Sequence, residues 1–199
     1  MKKIRVGIFG GTFNPPHIGH IQAAKAFIDS MNLDKLLVIP TFMPPHKMLD
    51  TKVSSDDRLN MCRLAFSKLP KVEISDLEIK RGGTSYTYLT LQELSSEENE
   101  LYFLCGTDMF ISLDSWRKPE IIFSLAKICF IRREDDALNT DTIDRKTILY
   151  KEVYGAEIFP IASDVIDVSS SEIRNQEKKL YDYLSQEVIE YVSDKELYK

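Results

Sequence analysis

The sequence predicts an α/β protein whose doubly wound parallel sheet is covered by helices on both faces. Short apolar runs recur along the chain, as in strands that are buried on both faces. Segments with apolar residues at every third or fourth position separate these runs, which is the spacing of amphipathic helices. The 199 residues suit a single domain over residues 1–199, with a small helical part at about 168–199.

Strands and helices alternate along the chain, which is typical of doubly wound domains. Strands are expected at residues 4–9, 36–40, 72–74, 101–105, 127–131 and 156–159. Helices are expected at about 18–31, 55–69, 86–94, 119–125, 171–178 and 185–193, with Ser54 or Ser55 capping the second of them. The polar stretch from Asp135 to Lys146 is interpreted as a surface loop or excursion.

The charge balance argues against a protein that binds nucleic acid. Lys and Arg total 26 against 31 Asp and Glu, so the net charge is −5, and the sequence has no basic stripe. A local positive pocket for a small anion is compatible with this balance. No run of about 18 apolar residues occurs, and the first nine residues do not resemble a signal peptide. We therefore expect neither a membrane span nor export.

The cysteines indicate a reducing compartment. Cys62, Cys105 and Cys129 lie far apart and match no metal-ligand spacing. Cys105 and Cys129 lie in apolar strand segments, which predicts buried free thiols and a cytoplasmic protein. No metal site built from protein side chains is expected.

The first predicted strand runs directly into a glycine turn and a helix that begins with two histidines. Gly10, Gly11 and Thr12 allow backbone N–H groups to approach a phosphate, at a place where doubly wound sheets favour ligands. His17 and His20 lie three residues apart, so both imidazoles can lie on one face of the first helical turn. A helix N-terminus favours an anion, so the sequence predicts a phosphate site here. The alternative is a pair of histidines that merely cap the helix.

Residues 10–20 read Gly-Gly-Thr-Phe-Asn-Pro-Pro-His-Ile-Gly-His and resemble the signature of the His-x-Gly-His nucleotidyltransferase superfamily. They match neither a Walker loop nor the Gly-x-Gly-x-x-Gly of dehydrogenases. The resemblance implies a Rossmann-like nucleotidyltransferase fold and an attack on the α-phosphate of a nucleoside triphosphate that releases pyrophosphate. It implies His17 and His20 as catalytic residues and ATP contacts for Gly10, Gly11, Thr12, Phe13 and His20. Class I aminoacyl-tRNA synthetases share the histidine motif, but they are much longer and carry a lysine-rich second signature that this sequence lacks.

A second motif lies near the end of the chain. Residues 168–174, Val-Ser-Ser-Ser-Glu-Ile-Arg, resemble the superfamily's Ile-Ser-Ser-Thr-x-Ile-Arg. Hydroxyls, free amides at a helix start and a guanidinium all suit the β- and γ-phosphates of ATP. We therefore assign Ser170, Ser171 and Arg174 to phosphate binding. The alternative is an ordinary serine cap.

Three interior segments resemble those of nicotinate-nucleotide adenylyltransferases within this superfamily. They are Pro-Pro-His-Lys at 44–47, Gly-Gly-Thr-Ser-Tyr-Thr at 82–87, and Gly-Thr-Asp at 106–108 followed by Trp116. The resemblance implies nucleotide contacts for Gly106 and Asp108, and contacts to the second substrate for His46, Lys47, Thr87, Trp116 and Arg133. In these roles, Trp116 stacks on a pyridine ring and Thr87 binds the nicotinate carboxylate. The chain departs from the family at Arg133-Glu134-Asp135, where Arg-x-Gly is usual, and at Asn14, where aspartate is commoner.

The resemblance implies that ATP, carried with Mg²⁺, reacts with nicotinic acid mononucleotide. The products are nicotinic acid adenine dinucleotide and pyrophosphate, in a step of NAD biosynthesis. Two alternatives stay open. One is a transferase of the superfamily that uses nicotinamide mononucleotide, phosphopantetheine or a cytidylyl donor, and the other is a non-catalytic nucleotide sensor or RNA-binding relative. The sequence also leaves a homo-oligomer open.

Overall fold

In the part of the chain that the structure describes, six strands form one parallel sheet. The computed structural model describes residues 2–45, 53–132, 140–162, 166, 168–175 and 180–198. The strands lie in the order β3-β2-β1-β4-β5-β6, and every neighbouring pair is parallel. Their bounds are β1 (Ile4–Gly11), β2 (Lys35–Pro40), β3 (Val72–Ile74), β4 (Asn99–Gly106), β5 (Ala126–Arg132) and β6 (Ile158–Ala162).

Helices cover both faces of this sheet, which confirms the predicted doubly wound architecture. One face carries α1 (Ile18–Met31), α2 (Ser55–Ala65), α8 (Ser170–Arg174) and α10 (Gln186–Asp194). The other face carries α4 (Thr87–Leu94), α5 (Thr107–Ser112), α6 (Pro119–Leu125) and α7 (Thr140–Tyr154). The short helix α3 (Leu77–Arg81) follows β3, and the short helix α9 (Leu180–Tyr183) precedes α10.

Side chains alternate between two hydrophobic cores along each strand, because successive residues of a strand point to opposite faces. In β2, Leu36 and Val38 enter the core beneath α1 and α2, whereas Leu37 and Ile39 enter the core beneath α4 to α7. The continuous apolar runs of the sequence therefore record burial on both faces.

Gly7 allows the first helix to lie close to the sheet. A Cβ atom at this position would lie 2.9 Å from Cε1 of Phe27 in α1 and 2.9 Å from Cδ1 of Leu36 in β2. Both distances are too short for real carbon contacts, so a side chain here would push the helix outward.

The strand order reverses between β1 and β4. The chain proceeds from β1 to β2 and β3 on one side, and from β4 to β5 and β6 on the other. Such a reversal opens a crevice beyond the carboxyl ends of the two strands. Gly11 ends β1 and Gly106 ends β4, so the crevice lies between two segments that the sequence singles out.

The interpretation of residues 135–146 as a loop is wrong for their second half. Residues 140–146 form the first two turns of α7, whereas 135–139 lie outside the described residues. Ile143 is the single apolar side chain in these two turns, and it is 3% exposed. One buried side chain in seven residues is too few to reveal a helical period in the sequence.

Smaller boundary errors occur elsewhere. The sixth strand begins two residues later than expected, at Ile158, and the helix expected to reach residue 69 ends at Ala65. The sequence did not predict α5, which follows β4 without an intervening loop. The helix expected at 171–178 corresponds to α8, which the structure describes from Ser170 to Arg174. Residues 176–179 lie outside the described residues.

Two predictions from composition can be compared with the structure. All three cysteines are buried free thiols, which confirms the prediction made for Cys105 and Cys129. None of the helices in the described residues is long and apolar enough to cross a lipid bilayer.

Candidate active site

A cleft of about 500 Å³ lies at the crevice between β1 and β4. Its walls come from three parts of the chain: the loop and helix start after β1, the end of β4 with the start of α5, and the segment that begins α8. It brings together every residue that the sequence assigns to catalysis or to ATP, namely Gly10, Gly11, Thr12, Phe13, His17, His20, Gly106, Asp108, Ser170, Ser171 and Arg174. Residues from both ends of the chain thus share one cleft, and Arg174 lies 160 positions from Asn14, to which it is hydrogen-bonded.

His17 and His20 lie against each other at the start of α1. Their ring centroids are 3.7 Å apart, and the backbone N–H of His17 donates a hydrogen bond of 3.1 Å to Nδ1 of His20. An accepting Nδ1 carries no hydrogen, so the hydrogen of the neutral His20 ring lies on Nε2. The sequence folds in this way because His17 occupies the N-cap position, which leaves its amide beside the side chain three residues later.

Gly19 and Phe13 hold the two imidazoles in place. A Cβ atom on Gly19 would lie 3.1 Å from Nδ1 of His17 and 3.1 Å from the carbonyl oxygen of Ile166. The glycine between the histidines therefore makes room for the buried His17 ring. The ring of Phe13 packs edge-on against His20, with centroids 5.0 Å apart.

The second motif is hydrogen-bonded to the first. Arg174 donates to the backbone carbonyl of Asn14 and, at 3.0 Å, to Oγ of Ser171. The hydroxyl of Ser170 donates to the carbonyl of Pro15 at 2.8 Å. The loop that contains the cis Asn14–Pro15 peptide bond is thereby fixed to the start of α8. The guanidinium of Arg174 also carries more N–H donors than these two contacts use.

The charge within the cleft favours a polyphosphate. Asp108 is the one carboxylate among the described lining residues, whereas Arg174 and two histidines supply positive charge or N–H donors. The N-terminus of the 14-residue helix α1 adds the positive end of its dipole. An anion can therefore bind locally although the chain has a net charge of −5.

Gly106 leaves space for Asp108. A Cβ atom on Gly106 would approach Oδ1 of Asp108 to 2.8 Å, which is closer than a real contact allows. The exposed carboxylate of Asp108 thus folds back over the end of β4, at the edge of the cleft.

Two of the residues expected to bind the second substrate, Thr87 and Trp116, are described by the structure and do not line this cleft. Thr87 begins α4 and Trp116 follows the 3-10 turn Leu113–Ser115, and both side chains are half-buried. The two segments meet where the guanidinium of Arg117 lies 5.0 Å from the ring centroid of Tyr86. Trp116 packs edge-on against Phe103 of β4, with centroids 6.2 Å apart. His46, Lys47 and Arg133 lie outside the described residues.

Comparisons with known proteins identify the family. A family model described as cytidylyltransferase-like matches residues 8–176. A relative from Geotalea daltonii, named as a probable nicotinate-nucleotide adenylyltransferase, is 36% identical and aligns with 98% of both chains. A relative of the same name from Shewanella frigidimarina is 34% identical, over 98% of this chain and all of its own. This chain belongs to the nicotinate-nucleotide adenylyltransferase family.

The fold of this adenylyltransferase family member agrees with solved structures. The nicotinic acid mononucleotide adenylyltransferase of Plasmodium falciparum, solved in complex with NaAD, superposes with a TM-score of 0.76. The match covers 98% of this chain and 97% of that one, at 22% sequence identity. A second structure, from Vibrio parahaemolyticus, covers all of this chain with a TM-score of 0.64 and 23% identity.

Two further residues of this adenylyltransferase family member shape the loop after β1. Arg58 in α2 donates to the carbonyl of Thr12 at 2.9 Å, and the hydroxyl of Tyr198 donates to Oδ1 of Asn14. Helical spacing could have revealed Arg58, because it falls on the same face of α2 as Met61, Cys62 and Ala65, where an apolar residue is expected. Tyr198 lies 184 residues from Asn14, and no local pattern points to their contact.

A cysteine nucleophile is not available in this cleft. Cys105 lines it at the end of β4, but burial raises the pKa of its thiol far above neutrality. The neutral thiol is a poor nucleophile.

Proposed function

We propose that this protein transfers the adenylyl group of ATP to nicotinic acid mononucleotide, giving nicotinic acid adenine dinucleotide and pyrophosphate. The reaction is a step of NAD biosynthesis, which we place in the cytoplasm. The observation that carries the proposal is the single cleft where the His17–His20 pair, the start of α1 and Arg174 meet. The family of the chain supports the same reaction.

The proposed chemistry needs no nucleophile from the protein. A phosphate oxygen of the mononucleotide forms a bond to the α-phosphorus of ATP, and the bond from that phosphorus to the bridging oxygen of the pyrophosphate breaks. The mononucleotide phosphate is already ionised at neutral pH, so no strong base is required. Catalysis then consists of positioning and of stabilising charge in the transition state.

The cleft residues have distinct roles in this mechanism. Nε2–H of His20 donates to an oxygen of the α-phosphate, where negative charge develops, and His17 orients His20 through its amide. Arg174, Ser170 and Ser171 hold the departing pyrophosphate. The glycine loop from Gly10 to Thr12 gives its backbone N–H groups to the phosphates, with Phe13 packed beneath, and Gly106 and Asp108 meet the ribose of ATP.

Magnesium enters this proposal with ATP. The described residues contain no group of three or more metal-ligating side chains. Mg²⁺ is commonly held by phosphate oxygens and water, so the ion would be carried by the phosphates of ATP. Bound there, the ion would neutralise charge on the leaving pyrophosphate.

The mononucleotide is assigned to the residues that the sequence links to the second substrate. Trp116 would stack on the pyridine ring, since a flat aromatic side chain suits a flat heterocycle. Thr87 would offer its hydroxyl and the amides at the start of α4 to the nicotinate carboxylate. His46, Lys47 and Arg133 would contact the phosphate of the mononucleotide.

Pyrophosphate release tests this proposal against its rivals. The protein is incubated with Mg²⁺ and ATP together with nicotinic acid mononucleotide, nicotinamide mononucleotide or phosphopantetheine, and with CTP in place of ATP. We expect release only when ATP and a pyridine mononucleotide are both present, and faster release with the nicotinate form. Fast turnover with phosphopantetheine or CTP would favour a different transferase, and nucleotide binding without pyrophosphate release would favour a sensor.

A further inference from the structure

We propose that Arg58 is a positioning residue that fixes the loop after β1, which contacts ATP, relative to the loop after β2, which is hydrogen-bonded to the segment before α4. It does so by holding two backbone carbonyls, those of Thr12 and Phe42, with one guanidinium. The proposal rests on the function proposed above. It adds a residue outside the cleft that controls the geometry between the two substrates.

The guanidinium of Arg58 lies inside the protein between two loops. The side chain is among the largest that are fully buried, with 1% of its surface exposed. Nη1 donates to the carbonyl oxygen of Thr12 at 2.9 Å, and Nη2 donates to that of Phe42 at 3.3 Å. Thr12 lies in the loop after β1, and Phe42 lies in the loop after β2. The planar, forked guanidinium suits two acceptors at once.

The backbone of Phe42 is also hydrogen-bonded to the segment that precedes α4. Its N–H donates to Oγ of Ser85 at 2.9 Å, and the N–H of Ser85 donates to the carbonyl of Met43 at 2.8 Å. Ser85 is 7% exposed and lies two residues before Thr87, where α4 begins. A continuous set of hydrogen bonds therefore runs from Thr12 through Arg58, Phe42 and Ser85 to the start of α4.

The buried charge of Arg58 is difficult to explain by folding alone. It forms no ion pair with any carboxylate in the described residues, and its Nε has no hydrogen-bond partner there. A buried cation without a paired anion is destabilising, whereas an apolar residue would suit this face of α2. Burial accordingly lowers the pKa of the guanidinium, which remains charged at neutral pH. A positive charge behind the phosphate loop favours the binding of anionic substrates.

The test compares Arg58→Lys with Arg63→Lys. Arg63 lies on the same helix, is exposed, and bonds to Oδ1 of Asn60 at 3.0 Å, so it controls for the loss of a guanidinium from α2. Lysine keeps the charge but cannot hold two carbonyls in the geometry of the fork. We expect Arg58→Lys to raise KM for ATP and to lower kcat, with a combined loss in kcat/KM of about tenfold or more. Arg63→Lys should stay within about twofold of the wild type.

Ser85→Ala supplies an independent variant of the same connection. Arg58 and Ser85 both hydrogen-bond to the backbone of Phe42. The fold loss in kcat/KM of the double variant should therefore be smaller than the product of the fold losses of the two single variants. If Arg58→Lys does not fold, Ser85→Ala must by itself raise KM for the mononucleotide, and an unchanged KM overturns the proposal.

Three results would contradict the role of Arg58. The first is wild-type kinetics for Arg58→Lys. The second is a kcat of Arg58→Lys that falls only in proportion to the folded fraction of the protein, with KM unchanged for both substrates. The third is a fold loss in kcat/KM of the double variant that equals the product of the two single-variant losses. Wild-type protein in the same assay separates this question from the proposed function. If the wild type releases no pyrophosphate, the proposed function is wrong. If the wild type is active and the variants have the same kinetics as the wild type, the proposed role of Arg58 is wrong.

Discussion

The backbone N–H of His17 donates to Nδ1 of His20 while the two imidazole rings lie 3.7 Å apart between centroids. One hydrogen bond thus caps the helix and selects which nitrogen of His20 carries the hydrogen. The same contact contributes to the stability of α1 and to the chemistry at the α-phosphate. A mutation of His20 should therefore change both, and each effect can be measured separately.

Replacing His20 by alanine should abolish most of the activity while the protein stays folded. We expect kcat to fall by about 10²–10³-fold, as for the loss of one charge-stabilising donor. The free energy of unfolding should fall by about 1 kcal/mol, because the N-cap amide loses its acceptor. Steady-state kinetics and urea unfolding measure the two effects, with Lys25→Ala, exposed on the same helix, as the control. Unchanged turnover would remove His20 from the mechanism.

A methyl group at Gly19 should displace His17. The added Cβ would lie 3.1 Å from Nδ1 of His17 and from the carbonyl of Ile166, so the ring must move by some tenths of an ångström. We expect Gly19→Ala to lower kcat by about tenfold, since small misplacements of catalytic groups are costly.

Gly10→Ala is the matched comparison for that variant. Apart from its two chain neighbours, no atom of the described residues lies within 4 Å of a Cβ built on Gly10, so the stability of this variant should not change. The methyl group would instead enter space assigned to the phosphates, and KM for ATP should rise. Equal effects of the two variants on kcat and KM would show that neither glycine acts as described.

Removing the hydroxyl of Tyr198 should loosen the loop after β1. This hydroxyl donates to Oδ1 of Asn14, and burial raises the pKa of Tyr198, so it remains a donor at neutral pH. Tyr198→Phe should lower the free energy of unfolding by about 1 kcal/mol and raise KM for ATP. Tyr154→Phe is the control, because Tyr154 packs on Phe123 on the opposite face of the sheet. If both variants have the wild-type KM, Tyr198 does not position the loop.

Glu100 should make the stability of the sheet depend on pH. The hydroxyl of Tyr102 donates to its carboxylate at 2.7 Å and Lys127 approaches to 3.0 Å, and these contacts hold the pKa of Glu100 below its ordinary value of 4.5. A lowered pKa in the folded state stabilises the fold at higher pH, and this contribution is lost as the pH falls through the folded-state value. Glu100→Gln should therefore unfold at lower urea than the wild type at neutral pH, with the difference vanishing in acid. A difference that is constant with pH would contradict this.

The sequence predicted most of the sheet because strands buried on both faces leave continuous apolar runs. It did not predict α7 (Thr140–Tyr154), because Ile143 is the single buried apolar residue in the first two turns and leaves no helical period. The residues predicted for the cleft were recognisable from three segments of the sequence, but their mutual contacts were not. That Arg174 donates to the carbonyl of Asn14 depends on backbone geometry, which residue types do not specify.

Support behind the cleft was harder to predict than the cleft itself. Arg58 left a signal, because a charged residue occupies an apolar position of an amphipathic helix. Tyr198 left none, because its contact with Asn14 joins segments at opposite ends of the chain. Motifs reveal residues that meet a ligand, whereas a residue such as Tyr198, which holds a motif in place from a distant segment, is recognised from the packing of the folded chain.

The most direct test of adenylyl transfer at this cleft follows the phosphorus atoms of ATP. The protein is mixed with nicotinic acid mononucleotide and ATP that is labelled at the α-phosphate in one reaction and at the γ-phosphate in another. Attack at the α-phosphorus predicts that the α label enters the dinucleotide and that the γ label leaves in pyrophosphate, both much more slowly with His20→Ala. A γ label found on the mononucleotide or in free phosphate, or an α label that never joins a pyridine nucleotide, would contradict the proposed reaction.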